Sequence, residues 1–273
     1  MSNLMSTIRR PVLKIGQDRF AWEDDEIVTE YPLTIFLNDE EFATIVCTPA
    51  DLEEMVIGFL AAEGAIRQYT DIKQMSIDES RGFAYVDLHQ QTGLSHSFYT
   101  KRRITSCCGK SRQSFYFFSD ARTAKPVAGT VTLTPAQVFR LMDELQASSH
   151  IHRSTGGVHN AALCTPEQTL LRYSDIGRHN ALDKIYGYCL RENLPTEDKI
   201  LVFSGRISSE VLLKAAKIGA GIILSKSAPT DLALQLAEEL NITAVGFVRP
   251  DKMNVYTHAE RIVALDNRVG GGG

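Results

Sequence analysis

The second half of the chain most constrains the fold. From about residue 150, short apolar runs alternate with amphipathic stretches. Leu170–Tyr173, Ile200–Phe203, Ile222–Leu224, Thr243–Val248 and Asn254–Tyr256 read as strands, with helices at Asn180–Leu190, Ser208–Ile218 and Thr230–Leu240 between them. In the last helix Leu232, Leu236 and Leu240 form one stripe. Strands and helices alternating across short loops predict a mainly parallel sheet covered by helices. The first half has a different grain. Val12–Ile15, Ile27–Thr29, Leu33–Leu37 and Phe42–Cys47 are apolar or alternating runs broken by charged turns, hence strands. A helix should follow, with Thr48 as N-cap, Pro49 in the first turn, and Met55, Phe59 and Ala62 on one face. Phe83–Leu88 and His96–Tyr99 read as further strands. Thr134-Pro135-Ala136-Gln137 is a capping box opening a helix to about Ala147. The expected organisation is a β-rich N-terminal portion over residues 1–110, an α/β domain over 111–269 and a flexible glycine tail at 270–273.

Composition narrows the function classes. The 273 residues suffice for a self-supporting core in one or two domains, and 23% charged with 44% hydrophobic residues argues against general disorder. A net charge of −4 weighs against a generic nucleic-acid coat. The longest apolar run, Met55–Ala62, falls far short of the ~20 residues of a membrane span. Two arginines near the N-terminus are not followed by the apolar region of a signal peptide. Five cysteines, an odd number, fit a reducing compartment, so the expectation is a cytoplasmic protein without nucleic-acid or membrane partners.

One segment is unlike the rest: KRRITSCCGKSRQ, whose residues 101–112 carry five basic side chains and no acid. The thiolate is the reactive form of cysteine, and a thiol with a pKa of ~8.5 is only a few per cent ionised at pH 7. Nearby cations favour the thiolate, which makes Cys107 and Cys108 candidate catalytic thiols on a loop that Gly109 suits. A chance pair of cysteines on a solvated basic face accounts for the same residues without reactivity. Adjacent cysteines lack the spacing of a zinc site, and no metal is expected. Cys47, Cys164 and Cys189 lie in apolar stretches and read as core.

Gly156-Gly157, with His150, His152 and His159 around it, can open a helix and offer backbone N–H groups to an anion, although a plain turn is the simpler reading. Three polar strand-to-helix junctions follow: Asp175–Asn180 with Asp183 and Lys184, then Ser204-Gly205-Arg206, then Ser225-Lys226-Ser227. Such junctions line the ligand crevice of α/β sheets. Bearing Arg178, Arg206 and Lys226, the three together point to an anionic ligand such as a phosphate ester, while caps and salt bridges explain any one of them. Zinc-dependent deamination is disfavoured, because no glutamate follows His159-Asn160 and no Pro-Cys-x-x-Cys occurs.

Taken together, STGGVHNAA, YSDIGRHNALDKI, FSGRISSEVLLKAA, LSKSAPTDLALQLAEEL and VGFVRPDKMNVYTHAERI resemble the FdhD/NarQ family of formate dehydrogenase accessory proteins. The resemblance spans about residue 25 to Ile262. It implies a cytidine-deaminase-like three-layer α/β core without deaminase chemistry, and a homodimer. It further implies that a cysteine accepts sulfur from a cysteine desulfurase as a persulfide. The sulfur then passes to bis-molybdopterin guanine dinucleotide, bound as the molecule being sulfurated and destined for formate dehydrogenase. The family's cofactor-binding stretch matches Phe247, Val248, Arg249, Pro250, Asp251 and Lys252, with Arg249 and Lys252 expected near phosphates. Many relatives carry Cys-Gly-x-Cys-Gly at the active loop, where this chain has Thr-Ser-Cys-Cys-Gly-Lys. Aligning the start of that string selects Cys107 and aligning its end selects Cys108; the first alignment is preferred. The competing readings are a non-catalytic molybdenum-cofactor chaperone, in which the thiols are incidental, and a redox sensor using the adjacent pair.

Overall fold

The computed structural model describes residues 4–89, 103–104 and 124–263. Cys107, Cys108, the expected strand at His96–Tyr99, the expected boundary at residue 110 and the glycine tail lie outside the described residues. The chain divides into two interleaved units, the first of residues 1–123, 147–161 and 172–195, the second of residues 124–146, 162–171 and 196–273.

In the first unit, β1 (Thr7–Ile15) and β2 (Phe20–Val28) form an antiparallel ribbon of their own, in continuous register from Thr7 opposite Val28 to Ile15 opposite Phe20. A five-stranded sheet follows. β3 (Tyr31–Leu37) and β4 (Glu40–Cys47) are joined by Asn38-Asp39, both at positive φ, as a two-residue hairpin turn requires. With β5 (Ile72–Asp78), β6 (Phe83–Leu88) and β7 (Arg103–Ile104) the sheet order is β5-β6-β3-β4-β7. β7 runs parallel to β4, with Ile104 opposite Ile45.

Helix α1 (Leu52–Ala62) buries nine of its eleven residues, so it is apolar nearly all round. Leu33, Ile35 and Ile45 of the sheet pack with Met55, Ile57 and Leu60 of α1 in one cluster. The expected N-cap is corrected: Asp51, not Thr48, precedes the helix, in a left-handed conformation and without a side-chain cap bond. Thr48 is drawn elsewhere, as described below. Six helices are present among the described residues. Helix α2 (Pro135–Ser148) opens on the expected box, with the Thr134 N–H donating to Gln137 Oε1 at 2.8 Å and the Gln137 N–H to Thr134 Oγ1 at 3.3 Å. Helix α3 (His150–Thr155) ends at Gly156, which has a φ of 65°. Gly156-Gly157 therefore closes a helix rather than opening one. The left-handed residue that terminates a helix is where glycine is favoured, and the anion-binding alternative for this motif falls. Helix α4 (Arg178–Arg191) crosses α1 with no room for a side chain: a Cβ on Gly58 would stand 1.8 Å from the Asp183 carbonyl oxygen, and one on Gly187 1.8 Å from that of Glu54.

The second unit carries a six-stranded sheet. β8 (His159–Cys164) and β9 (Thr169–Asp175) each begin or end in the first unit. β10 (Ile200–Phe203), β11 (Ile222–Ser225), β12 (Thr243–Gly246) and β13 (Asn254–Val255) complete the order β13-β12-β11-β10-β8-β9. β10, β11 and β12 are parallel, as the alternation of strands and helices predicts, and their residues are all buried. Helices α5 (Ser209–Ile218) and α6 (Asp231–Glu239) supply the crossovers between them. Val138, Leu141 and Met142 of α2 pack with Val202, Leu224 and Val245 of the sheet.

Candidate functional site

Parallel strands end together, so β10, β11 and β12 bring three loops to one rim. The loops interlock. Ser225 Oγ donates to the Gly205 carbonyl at 2.6 Å and Ser227 Oγ to the Ser204 carbonyl at 3.1 Å. The Phe247 N–H donates to the Ser227 carbonyl at 3.2 Å and the Val248 N–H to the Ser225 carbonyl at 3.0 Å. Gly246 fits because it has no side chain: a Cβ would come within 3.1 Å of Pro229, Ser227 and Tyr256.

Four basic residues of the sequence reading lie on these loops, and they differ in what holds them. Arg249 Nη1 donates to the carbonyls of Lys226, at 2.6 Å, and of Val248, at 3.0 Å, tying the third loop to the second. Lys226 Nζ donates to Gln146 Oε1 of α2. Arg206 and Lys252 are exposed, and their side chains have no hydrogen-bond or ion-pair partner among the described residues. Val248 is fully buried and acts as an anchor, while Pro250 and Asp251 are exposed. Phe247 is 41% exposed at a φ of 52°. A bulky residue in that region is a conformational outlier, and such strain collects at functional sites. The rim thus offers unengaged positive charge and one aromatic face, a combination suited to a phosphorylated, ring-bearing anion. Gln146 was not singled out for this role by sequence reasoning; nothing local marks it.

The first of the three junctions has another fate. Asp175 and Lys184 are fully buried and paired at 2.9 Å, with Lys184 Nζ also donating to the Ser174 carbonyl at 3.2 Å. The Asp175 carboxylate accepts from the N–H of Thr48 at 3.0 Å, the N–H of Gly177 at 2.8 Å and Asn180 Nδ2 at 2.8 Å. Thr48 Oγ1 in turn accepts from the Ile176 N–H at 3.1 Å, and Asn180 Nδ2 also donates to the Val46 carbonyl at 3.0 Å. This closed network fixes the end of β4 to the start of α4. Asp175, Lys184 and Asp183 are all buried rather than exposed to a ligand. Arg178 opens α4 in the first unit, its Nε 3.3 Å from His179 Nε2.

The remaining cysteines behave as small core residues. Cys47, Cys164 and Cys189 are buried. Burial first, then the Asp175 carboxylate, pushes the Cys47 thiol well above its ordinary range against the opposing pull of Lys184. His159 at the start of β8 is half-buried, and burial, then Arg178 and His152, hold its pKa below the usual histidine value. A cavity of about 360 Å³ in the first unit has Asp51, Glu53, Glu54 and Glu79 among its lining residues, the wrong sign for a phosphate. Among the described residues no group of three or more His, Cys, Asp or Glu side chains is placed to hold a metal ion, and no helix is long and apolar enough to cross a membrane.

The sequence profile of the FdhD/NarQ family matches residues 28–263. The chain belongs to that family. It is 62% identical over 270 residues to a protein of Halalkalibacterium halodurans named sulfur carrier protein FdhD, covering 98% of this chain and all of that one. Bearers of the same name in Geobacillus kaustophilus and Bacillus subtilis are 60% and 57% identical over 93% and 94% of this chain, and 97% of each of theirs. A crystal structure titled as a formate dehydrogenase accessory protein of Desulfotalea psychrophila superposes with a TM-score of 0.78 at 26% identity, over 95% of this chain and all of that one. The mixed α/β fold is thus that of a family member.

Proposed function

We propose that this chain is a cytoplasmic sulfur carrier for formate dehydrogenase maturation, built on a cytidine-deaminase-like core. In this reading Cys107 takes sulfur from a cysteine desulfurase and delivers it to bis-molybdopterin guanine dinucleotide held as cargo at the rim. The names of the relatives support the sulfur-carrier part. The observation that carries the cargo part is the rim of β10, β11 and β12, where Arg206 and Lys252 present charge and Phe247 presents a ring. The chemistry of that donor set fits the phosphates and the guanine of a dinucleotide. Arg206 and Lys252 would meet the phosphates, Phe247 would lie against a ring, and Arg249 would hold the loop in place. The cargo supplies the metal and pterin chemistry, and the chain supplies binding and a thiol.

The carrier step needs little machinery. The Cys107 thiolate attacks the outer sulfur of the donor's persulfide. One S–S bond forms as another breaks, and the donor leaves as a thiolate with no external oxidant or reductant. The basic residues around Cys107 favour the ionised thiol. A homodimer is part of this reading.

Incubation with a cysteine desulfurase and cysteine tests it. The intact protein should gain one sulfur atom by mass, Cys107→Ala should gain none, and Cys164→Ala should load like the wild type. Loading of Cys107→Ala would move the persulfide to Cys108. A cysteine-free variant that still matures formate dehydrogenase would favour the chaperone reading.

A further inference from the structure

Three segments of the first unit gather histidines and an arginine beside the sealed Asp175 network, and one buried asparagine ties the segments together. Asn160 Oδ1 accepts from Ser149 Oγ, just before α3, and from Ser174 Oγ, near the end of β9, both at 2.7 Å. Ser149 Oγ also accepts from the His152 N–H at 3.2 Å. His159 is the residue next to Asn160, and Arg178 and His179 open α4 just past the end of β9. His152 is exposed, while His159, Arg178 and His179 are half-buried, so all four are within reach of a solute. Arg178 and His152 each disfavour a proton on His159, as close positive groups do.

Two carboxylates act on these segments, and both are engaged already. Asp175, which favours the proton on His159, is fully buried and paired with Lys184 at 2.9 Å. Glu26 of β2, which acts on His150 of α3, accepts from Thr7 Oγ1 at 2.6 Å. Arg178 Nε donates to His179 Nε2 at 3.3 Å; that acceptor is uncharged and orients the guanidinium without cancelling it. We infer that this cluster is a binding site for a doubly charged tetrahedral oxyanion, phosphate or the phosphoryl group of an ester. Arg178 supplies the permanent charge, in the planar fork that suits such oxygens, and His159 and His152 supply donors that strengthen on protonation. The ligand meets side chains here, not the N–H groups of a helix opened at Gly156, since Gly156 closes α3.

A monoanion would offset the guanidinium alone. A dianion also favours an imidazolium beside it, so binding draws a proton onto His159 and affinity rises as pH falls. The sign is fixed, because His159 starts below its ordinary pKa and a bound anion moves it up. None of the rim's residues takes part, so the site stands whether or not the cargo reading does.

Sulfate is the probe, because it keeps both charges throughout the titration and the proton gained is the protein's. The experiment follows the histidine ring protons of the full chain by NMR at constant ionic strength, with the His159 signal identified by its loss in His159→Gln. Expected are a saturable shift of that signal with sulfate and a rise of about one pH unit in its midpoint, which by linkage is a tenfold gain in sulfate affinity from high to low pH. Arg178→Gln should weaken sulfate binding at least tenfold and abolish the midpoint shift with an unchanged dichroism spectrum. Arg178→Lys should keep part of both, and His152→Gln, at an exposed position, should weaken binding severalfold. Inorganic phosphate and phenyl phosphate then compete with sulfate, and the tighter of the two tells free anion from ester. A response equalled by chloride, or one that Arg178→Gln and His152→Gln both leave alone, overturns the site. Acetate binding as tightly as sulfate overturns the dianion. Loss of the shift in Arg206→Gln would assign the effect to the rim and overturn this site alone.

Discussion

The two units place the same kinds of side chain at the same kind of position and use them in opposite ways. In the first, Asp175, Asn180 and Lys184 at a strand-to-helix junction are sealed into a network whose ion pair has no exposure at all. In the second, Ser204 to Arg206, Ser225 to Ser227 and Phe247 to Lys252 stand at the ends of parallel strands with Arg206 and Lys252 exposed. The difference is one of desolvation. A buried ion pair gains little net energy from its own attraction, but removing one member strands the other in a low dielectric. An exposed cation costs little to keep and little to lose, so it is available to a ligand. Polar residues at a junction are therefore no guide to a binding site until their burial is known.

The largest effect should come from breaking the sealed network. Lys184→Met leaves the Asp175 carboxylate buried with three hydrogen-bond donors but no counter-charge. Urea unfolding should show a loss of about 3–5 kcal/mol, the usual cost of orphaning a buried charge. Adding Asp175→Asn removes the stranded charge and should recover part of the loss. A cost below about 1 kcal/mol for Lys184→Met would equate the sealed junction with the open one and erase the contrast.

Arg206→Gln sharpens the contrast from the other side. Stability should move by no more than about 0.5 kcal/mol, as for an exposed residue without partners. Affinity for guanosine diphosphate, the phosphorylated half of the proposed cargo, should fall about 10- to 100-fold, the equivalent of one charge-assisted hydrogen bond of roughly 1.5–3 kcal/mol. Binding should also become less sensitive to salt. Arg249→Gln should behave differently, weakening binding through the loop it ties rather than through charge, with the salt dependence largely kept. Calorimetric titration at two ionic strengths separates the two, and wild-type binding by Arg206→Gln would remove that residue from the rim's function.

The same contrast explains what was legible beforehand. Strands β10, β11 and β12 and the Thr134–Gln137 box are set by local pattern, buried runs in one case and a three-residue spacing in the other, and both are where the sequence puts them. Thr48 obeys the local rule for an N-cap and yet serves Asp175 and Ile176, more than 120 residues away, because a buried carboxylate demands donors that a helix end can forgo. α3, at six residues, is too short to show a periodicity, which leaves Gly156-Gly157 readable as either end of a helix. The β1–β2 ribbon is longer than its apolar runs imply because both faces meet solvent, so no inside-outside alternation is imposed on it. The rim was legible in its charges but not in their state: a sequence cannot tell Arg249, held by two carbonyls, from Arg206, held by none.

The smallest expected effect is a pH dependence confined to the first unit. His159 is half-buried, and burial, Arg178 and His152 all disfavour its charged form, with Asp175 opposing them. Its folded pKa therefore lies below that of the unfolded chain, near 6.5. Between those two values the unfolded state binds more protons than the folded one, so stability falls as pH is lowered through that window and stops falling below the folded value. His159→Gln removes this proton uptake. Urea midpoints measured from pH 7.5 to 5 at constant ionic strength should decline less steeply in the variant than in the wild type, with the two curves running parallel above pH 7. Arg206→Gln, on the open rim, should leave the wild-type curve unchanged in shape. Equal slopes for His159→Gln and the wild type would mean that solvent reaches this imidazole as freely as it reaches the rim, and the line drawn between a closed first unit and an open second one would have to be redrawn at β8.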